Sequence, residues 1–167
     1  MRCFGISEVN PEIRPLVQEF IHKFWHDETV VVHSTVYKPH ELEGLVAFDC
    51  TSDQKRIVGL LTYSLKDDGL EIVTLNSLIP GWGLGKALIE EVRRKATQLG
   101  VRRIWLVTNN DNIDALRFFQ RRGFEITAVY RDAVNTARKL KPSIPVIGHY
   151  GIPMKDELEM ELLIKPQ

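Results

Sequence analysis

The chain has 167 residues, 44% of them hydrophobic, which is one domain's length with enough apolar material for a substantial core. Its 22 basic and 22 acidic side chains cancel, which argues against a dedicated nucleic-acid binder, because phosphate backbones select a basic excess. There is no apolar run of about 18 residues, no secretion-type start, and no metal or redox spacing between Cys3 and Cys50. A cytoplasmic protein that spans no membrane is expected.

After a short apolar start at 3–6, Ile13, Leu16, Val17, Phe20, Ile21 and Phe24 recur at helical spacing across 12–25, with Pro11 and Pro15 early enough to be tolerated. The β-branched stretch 29–37 reads as one strand. Segments 45–50 and 56–65 read as a hairpin around the turn TSDQK, and DDG at 67–69 turns into a further strand over 70–79. Three antiparallel strands in a row follow from such short connections.

The period then changes. Leu84, Leu88, Val92, Ala96 and Leu99 repeat at helical spacing up to Gly100, a natural stop. A strand at 101–108, a helix opened by capping residues and closed at Gly123, and a strand at 124–130 complete a strand–helix–strand–helix–strand run. That order requires at least one parallel pairing through a right-handed crossover. Residues 131–156 read as a short helix followed by an irregular stretch with three prolines between 142 and 153. In the closing strand Leu158, Met160, Leu162 and Ile164 alternate with Glu157, Glu159 and Glu161, predicting one buried and one solvated face. The expectation is a single α/β (α+β) domain over 1–167, with a mixed, mostly antiparallel sheet and helices on both faces.

The chemistry concentrates first in PGWGLGKAL, where Gly81, Gly83 and Gly85 precede a helix. A Walker A loop requires G-x-x-x-x-G-K-[ST]; here Pro80 takes the first glycine's place and Ala87 the hydroxyl's. A dinucleotide fingerprint fails as well, its third glycine falling on Lys86 or Leu88. Two readings remain. The turn presents backbone N–H groups at a helix N-terminus to a pyrophosphate, or it is an ordinary crowded helix start.

A second motif follows one strand and one helix later: Asn112-x-x-Ala115-x-x-Phe118-Phe119-x-x-x-Gly123-Phe124. Together the two motifs resemble the GNAT superfamily of N-acyltransferases, whose acyl-CoA loop reads Q/R-x-x-G-x-G/A and whose next helix reads N-x-x-A-x-x-F-Y-x-x-x-G-F. The specific resemblance covers 57–130, and the element order matches over nearly the whole chain. The segments KPSIP and GIP further resemble those of a group of bacterial members.

The resemblance implies an N-acetyltransferase that moves the acetyl group of acetyl-CoA, its co-substrate, to a primary amine of a small molecule or peptide by direct attack, without a metal. The backbone amides of Trp82, Gly83, Leu84, Gly85, Lys86 and Ala87 would hold the pyrophosphate. Leu75, Asn76, Ser77 and Leu78 would pair with the pantetheine arm, leaving the sheet splayed. Asn112 and Ala115 would flank the coenzyme, Phe118 or Phe119 would lie near the thioester, and Arg121 or Arg122 would meet the 3′-phosphate. Glu71 would be the general base, Tyr130 (or Tyr150) the acid, and a backbone N–H near Leu78 the oxyanion donor. The helix at 12–25 and the stretch 141–156 would wall the acceptor side of a monomer or homodimer.

Two departures stand out. Pro80 replaces the family's Gln or Arg, and Phe119 replaces its frequent catalytic Tyr, removing an O–H able to protonate a leaving thiolate. They motivate an alternative, a non-catalytic acyl-CoA-binding sensor. His22 and His26 stand four apart on the first predicted helix but lack further ligands for zinc.

Overall fold

The computed structural model describes residues 3–25, 27–51, 55–66 and 69–165. Residues 52–54 and 67–68 of the predicted turns, and His26, lie outside the described residues. The elements are β1 (Phe4–Glu8), α1 (Arg14–Trp25), β2 (Val30–Val32), β3 (Thr35–Tyr37), β4 (Glu43–Asp49), β5 (Ile57–Lys66), β6 (Gly69–Ser77), α2 (Leu84–Gln98), β7 (Arg103–Asn109), α3 (Ile113–Gln120), β8 (Glu125–Tyr130), α4 (Ala133–Leu140) and β9 (Glu157–Leu163). Seven strands form one sheet in the order β1-β4-β5-β6-β7-β9-β8.

Every neighbouring pair in that sheet is antiparallel except β6 and β7. The interior strand β5 is buried on both faces, and its alternating side chains serve two layers. Leu61 and Tyr63 pack with Leu88, Ile89 and Val92 of α2. Leu60 packs with Val17, Phe20 and Ile21 of α1. Helices thus cover both faces, as the sequence predicts.

The parallel pair is short. Residues 70–72 register with 104–106, and then the strands part. β7 continues instead along its full length with β9, while β6 stays with β5. Within β6, Ile72 and Thr74 oppose the consecutive residues Tyr63 and Thr62, so Val73 is an extra residue, a bulge. A V-shaped opening results between the C-terminal halves of β6 and β7.

Three expectations need correction. The stretch 29–37 is not one strand: His33 and Ser34 take φ of 50° and 60°, and this left-handed turn folds β2 back on β3 as a separate hairpin. The acidic face of β9 is not solvated. Glu157 is 2% exposed and bonds His33 Nδ1 at 2.8 Å, while Glu159 and Glu161 both hold Arg103. Leu99 is not core but an exposed C-cap of α2. Cys3 and Cys50, far apart in sequence, also meet, the Cys50 N–H donating to the Cys3 carbonyl beyond the end of the β1–β4 ladder.

Candidate active site

The V-shaped opening is a cleft of about 330 Å³. Thr74 and Leu75 line one wall, and Val107, Thr108 and Asn109 the other. Asn112, Ala115 and Phe119 of the α3 region and His149 close it. A larger pocket of about 470 Å³ adjoins it, sharing Trp25, Val30, Val31 and Asn109. Its remaining walls come from Asp27, α4, residues 141–145, Met154 and Glu157, so 141–156 borders this space, whereas α1 contributes only its last residue.

The expected oxyanion donor is a backbone N–H near Leu78; that of Leu78 itself donates to the Val58 carbonyl at 2.9 Å. Backbone groups alternate along a strand, so those of Leu75 and Ser77 point away from β5, toward the cleft. Asn76 faces α1, its Oδ1 accepting from Trp25 Nε1 at 3.2 Å.

The glycine turn delivers α2 with an open N-terminus. Gly81 and Gly83 have φ of 77° and 76°, the left-handed region, and a Cβ at either would meet nothing within 4 Å. Gly83 is the N-cap, and no side chain caps the helix. The Ala87 N–H donates to Gly83 and the Trp82 N–H to Ile79, which removes both from the predicted donor set. Among the described residues, the N–H groups of Gly83, Leu84, Gly85 and Lys86 find no backbone acceptor. Lys86 also puts an exposed cation in the first turn, where the helix dipole disfavours it unless an anion is present.

Gly85 has a packing role. It is helical and buried, and a Cβ there would lie 3.0 Å from two ring carbons of Phe118. Gly85→Ala should therefore lower stability by about 1 kcal/mol net, the overpacking outweighing alanine's better helix propensity. Thermal denaturation should show a melting temperature lower by about 2–4 °C.

α3 starts at Asn112, whose Oδ1 accepts the Ala115 N–H at 3.2 Å, a cap contributing about 1 kcal/mol. Phe119 is 6% exposed, packs edge-on against Phe124 and reaches the cleft. Phe118 instead supports Gly85, with the Arg122 guanidinium over its ring at 3.5 Å. Arg121 caps α3 and is exposed. Arg122 is half-buried with Nε unpartnered among the described residues, and burial, aided by Arg121, pulls its pKa down. Of the two arginines, Arg122 stacks on Phe118, the ring that packs against Gly85 in the first turn of α2.

The two catalytic candidates from sequence are not at the cleft. Glu71 is 2% exposed at the closed end of the V, where it pairs with Trp105. Its Oε2 accepts the Tyr37 hydroxyl at 2.6 Å and lies 3.9 Å from Lys66 Nζ. Burial, then the bond to Glu71, pushes the Tyr37 phenol up. Tyr130 lies on the far strand β8, donates to Glu159 Oε2 at 2.9 Å and stacks edge-on with His33. The Glu159 carboxylate raises its pKa, the wrong direction for a ready proton donor. Tyr150 is 70% exposed, and its hydroxyl is committed to Asp114.

Sequence reasoning missed the pairing of His149, which lines the cleft, with the buried Asp111 behind it. They are 38 residues apart, with no spacing signal to join them. Among the described residues no group of His, Cys, Asp and Glu has a metal-binding arrangement, and no helix is long and apolar enough to cross a membrane.

The family described as "Acetyltransferase (GNAT) family" matches residues 10–124. The chain is 40% identical over 152 residues to the uncharacterised protein YxbD of Bacillus subtilis (strain 168), spanning 91% of this chain and 92% of that one. A GNAT family acetyltransferase from Elizabethkingia anophelis, solved with acetyl-CoA bound, is similar at TM-score 0.65 and 18% identity, over 96% of this chain and 98% of that one. An acetyltransferase of the GNAT family from Streptococcus pneumoniae is similar at TM-score 0.67 and 19% identity, over 98% and 100%.

Proposed function

The chain belongs to the GNAT acetyltransferase family, and from that premise we propose that it transfers the acetyl group of acetyl-CoA to a primary amine on a small molecule or peptide. One observation carries this reading. The start of α2 carries N–H groups without backbone acceptors among the described residues, its Gly85 packs against Phe118 of α3, and Ala115 and Phe119 of that same helix line the gap where β6 leaves β7.

The pyrophosphate fits the amides of Gly83, Leu84, Gly85 and Lys86, where oriented N–H groups and the helix dipole favour an anion. With no Cβ at Gly83, oxygens can approach the main chain. The pantetheine amides match the outward backbone groups of Leu75 and Ser77, adding a pseudo-strand to the exposed edge of β6. That route leads the thioester past Asn112 and Ala115 to Phe119. Lys86, in the first turn of α2, and Arg122, stacked on the Phe118 ring that packs against Gly85, supply cations for the phosphates.

The adjoining pocket suits an acceptor with an apolar body. Val30, Val31, Val134, Ala137, Ile144 and Met154 line it. Its charged residues already have partners: Glu157 bonds His33, and Lys141 donates to the Thr29 carbonyl and lies 3.2 Å from Asp27, the Lys141–Asp27 contact holding the Asp27 carboxyl below the usual carboxylate range. In the reaction a neutral amine attacks the thioester carbon, the C–N bond forms, and the C–S bond breaks. The proton on the new amide nitrogen passes to the departing thiolate, a leaving group good enough to need no dedicated acid.

Free-thiol release from acetyl-CoA over a panel of primary amines tests this. Apolar arylalkylamines such as phenethylamine should be turned over in preference to charged amino acids. Acetyl-CoA binding without thiol release across the panel would favour the sensor reading that the missing Tyr hydroxyl motivates.

A further inference from the structure

We propose that His149 is the general base of this reaction and Asp111 its positioning residue, an assignment that rests on the acetyl-transfer reading above. Asp111 is 1% exposed and stands immediately before the cap of α3. One of its oxygens, Oδ2, accepts both the His149 main-chain N–H and the His149 ring Nδ1, each at 2.9 Å. An oxygen that accepts the main-chain donor faces the ring as an acceptor too, so Nδ1 carries the hydrogen. The neutral ring then has its lone pair on Nε2, on the side away from Asp111. The side chain is 65% exposed and lines the cleft with Leu75, Ala115 and Phe119.

The surrounding turn is built to hold this geometry. A Cβ on Gly148 would lie 2.1 Å from Asp111 Oδ2, so only glycine lets the carboxylate sit beneath the turn. Tyr150 takes φ of 58°, a strained conformation for a bulky residue, and its hydroxyl is tied to Asp114 at 2.6 Å. Asp111 Oδ1 is buried and has no hydrogen-bond partner among the described residues. Such an oxygen is costly to keep, and its retention points to a carboxylate kept for its charge beside the imidazole. The other ionisable groups around the turn are Asp114 and Tyr150, with Arg117 pairing Asp114, while the strand walls offer Thr74, Thr108 and Asn109.

In the step assigned to it, His149 Nε2 takes one proton from the substrate ammonium. The N–H bond breaks, the amine lone pair becomes free to attack, and Asp111 faces the imidazolium that forms. The imidazolium returns that proton to solvent after the thiol leaves, so one acetyl transfer from an ammonium releases one proton.

Two measurements on the full chain test the assignment. Long-range 1H–15N spectra of histidine-labelled protein, with His149→Gln to assign the signal, should show His149 as the Nδ1–H tautomer. Its Nε2 resonance should move on adding acetyl-CoA, and Asp111→Asn should redistribute the tautomers. An Nε2–H tautomer, or a signal indifferent to saturating acetyl-CoA, would overturn the proposal. With phenethylamine as acceptor, His149→Gln should lose about 10²–10⁴-fold in kcat. Asp111→Asn should lose about 10–100-fold. KM for acetyl-CoA should hold steady in both, and the acidic limb of the pH–rate profile should vanish in His149→Gln. An unchanged pH profile with near-normal kcat overturns the dyad while leaving acetyl transfer intact. If wild-type protein binds no acetyl-CoA, the acetyl-transfer reading itself fails.

Discussion

Glu71→Ala should cost about 2–4 kcal/mol of stability and lower the melting temperature by about 5–15 °C, one of the largest effects of any single truncation in the sheet. The carboxylate lies 2% exposed between β5 and β7, accepts the Tyr37 hydroxyl at 2.6 Å and sits 3.9 Å from Lys66. Removing it strands a buried phenol, a cost of about 1–3 kcal/mol, and leaves a cavity at the point where the parallel pair is held shut. Tyr37 belongs to the small cluster with Val32 and Val73, so the β2–β3 hairpin should loosen at the same time. Glu71→Gln keeps an acceptor for Tyr37 and should cost less than half as much. Because Glu71 is not a wall of the cleft, the Gln variant should keep most of its turnover; a loss above about 10²-fold with normal stability would restore the general-base role read from its sequence position.

Gly83→Ala should weaken acetyl-CoA binding at least tenfold, about 1.4 kcal/mol, beyond its effect on the fold. The folded-state cost comes from φ of 76°, about 1–2 kcal/mol for a residue with a Cβ, since that Cβ would meet no protein atom within 4 Å. The binding cost is separate, because the added methyl occupies the approach that phosphate oxygens need. Gly85→Ala makes the matching control: its Cβ meets Phe118 rather than the solvent side of the turn, so it should move stability more than affinity. Calorimetric titration and thermal denaturation of both variants separate the two glycines.

Hydrophobic periodicity made α1, α2 and the hairpin strands readable, because each buries a continuous stripe on a sheet face. The splay was implied by the two spaced motifs, and the register ending at Ile72 and Leu106 fits that implication. What stayed hidden depended on partners distant in sequence. The acidic row of β9 reads as a wet face by alternation, yet Arg103 and His33 cover it from other elements. His33 and Ser34 adopt positive φ without glycine, so nothing marked the turn between β2 and β3. Glu71 reads as a base on its strand, and its burial against the hydroxyl of Tyr37, 34 residues away, has no sequence signal. The glycines divide by backbone conformation: Gly83 holds a positive φ over open space, and Gly85 is helical and packs against Phe118. His149 lies in a proline-rich stretch with no periodic signal, and its link to Asp111 exists only in three dimensions.

The proposed acetyl transfer requires above all that the open start of α2 and the gap beside β6 take acetyl-CoA. Titrating wild-type protein with acetyl-CoA in a calorimeter should give saturable one-to-one binding that weakens as salt rises, as expected for a pyrophosphate held by amides and cations. Absence of heat up to millimolar acetyl-CoA, or equal affinity in wild type and Gly83→Ala, would contradict it.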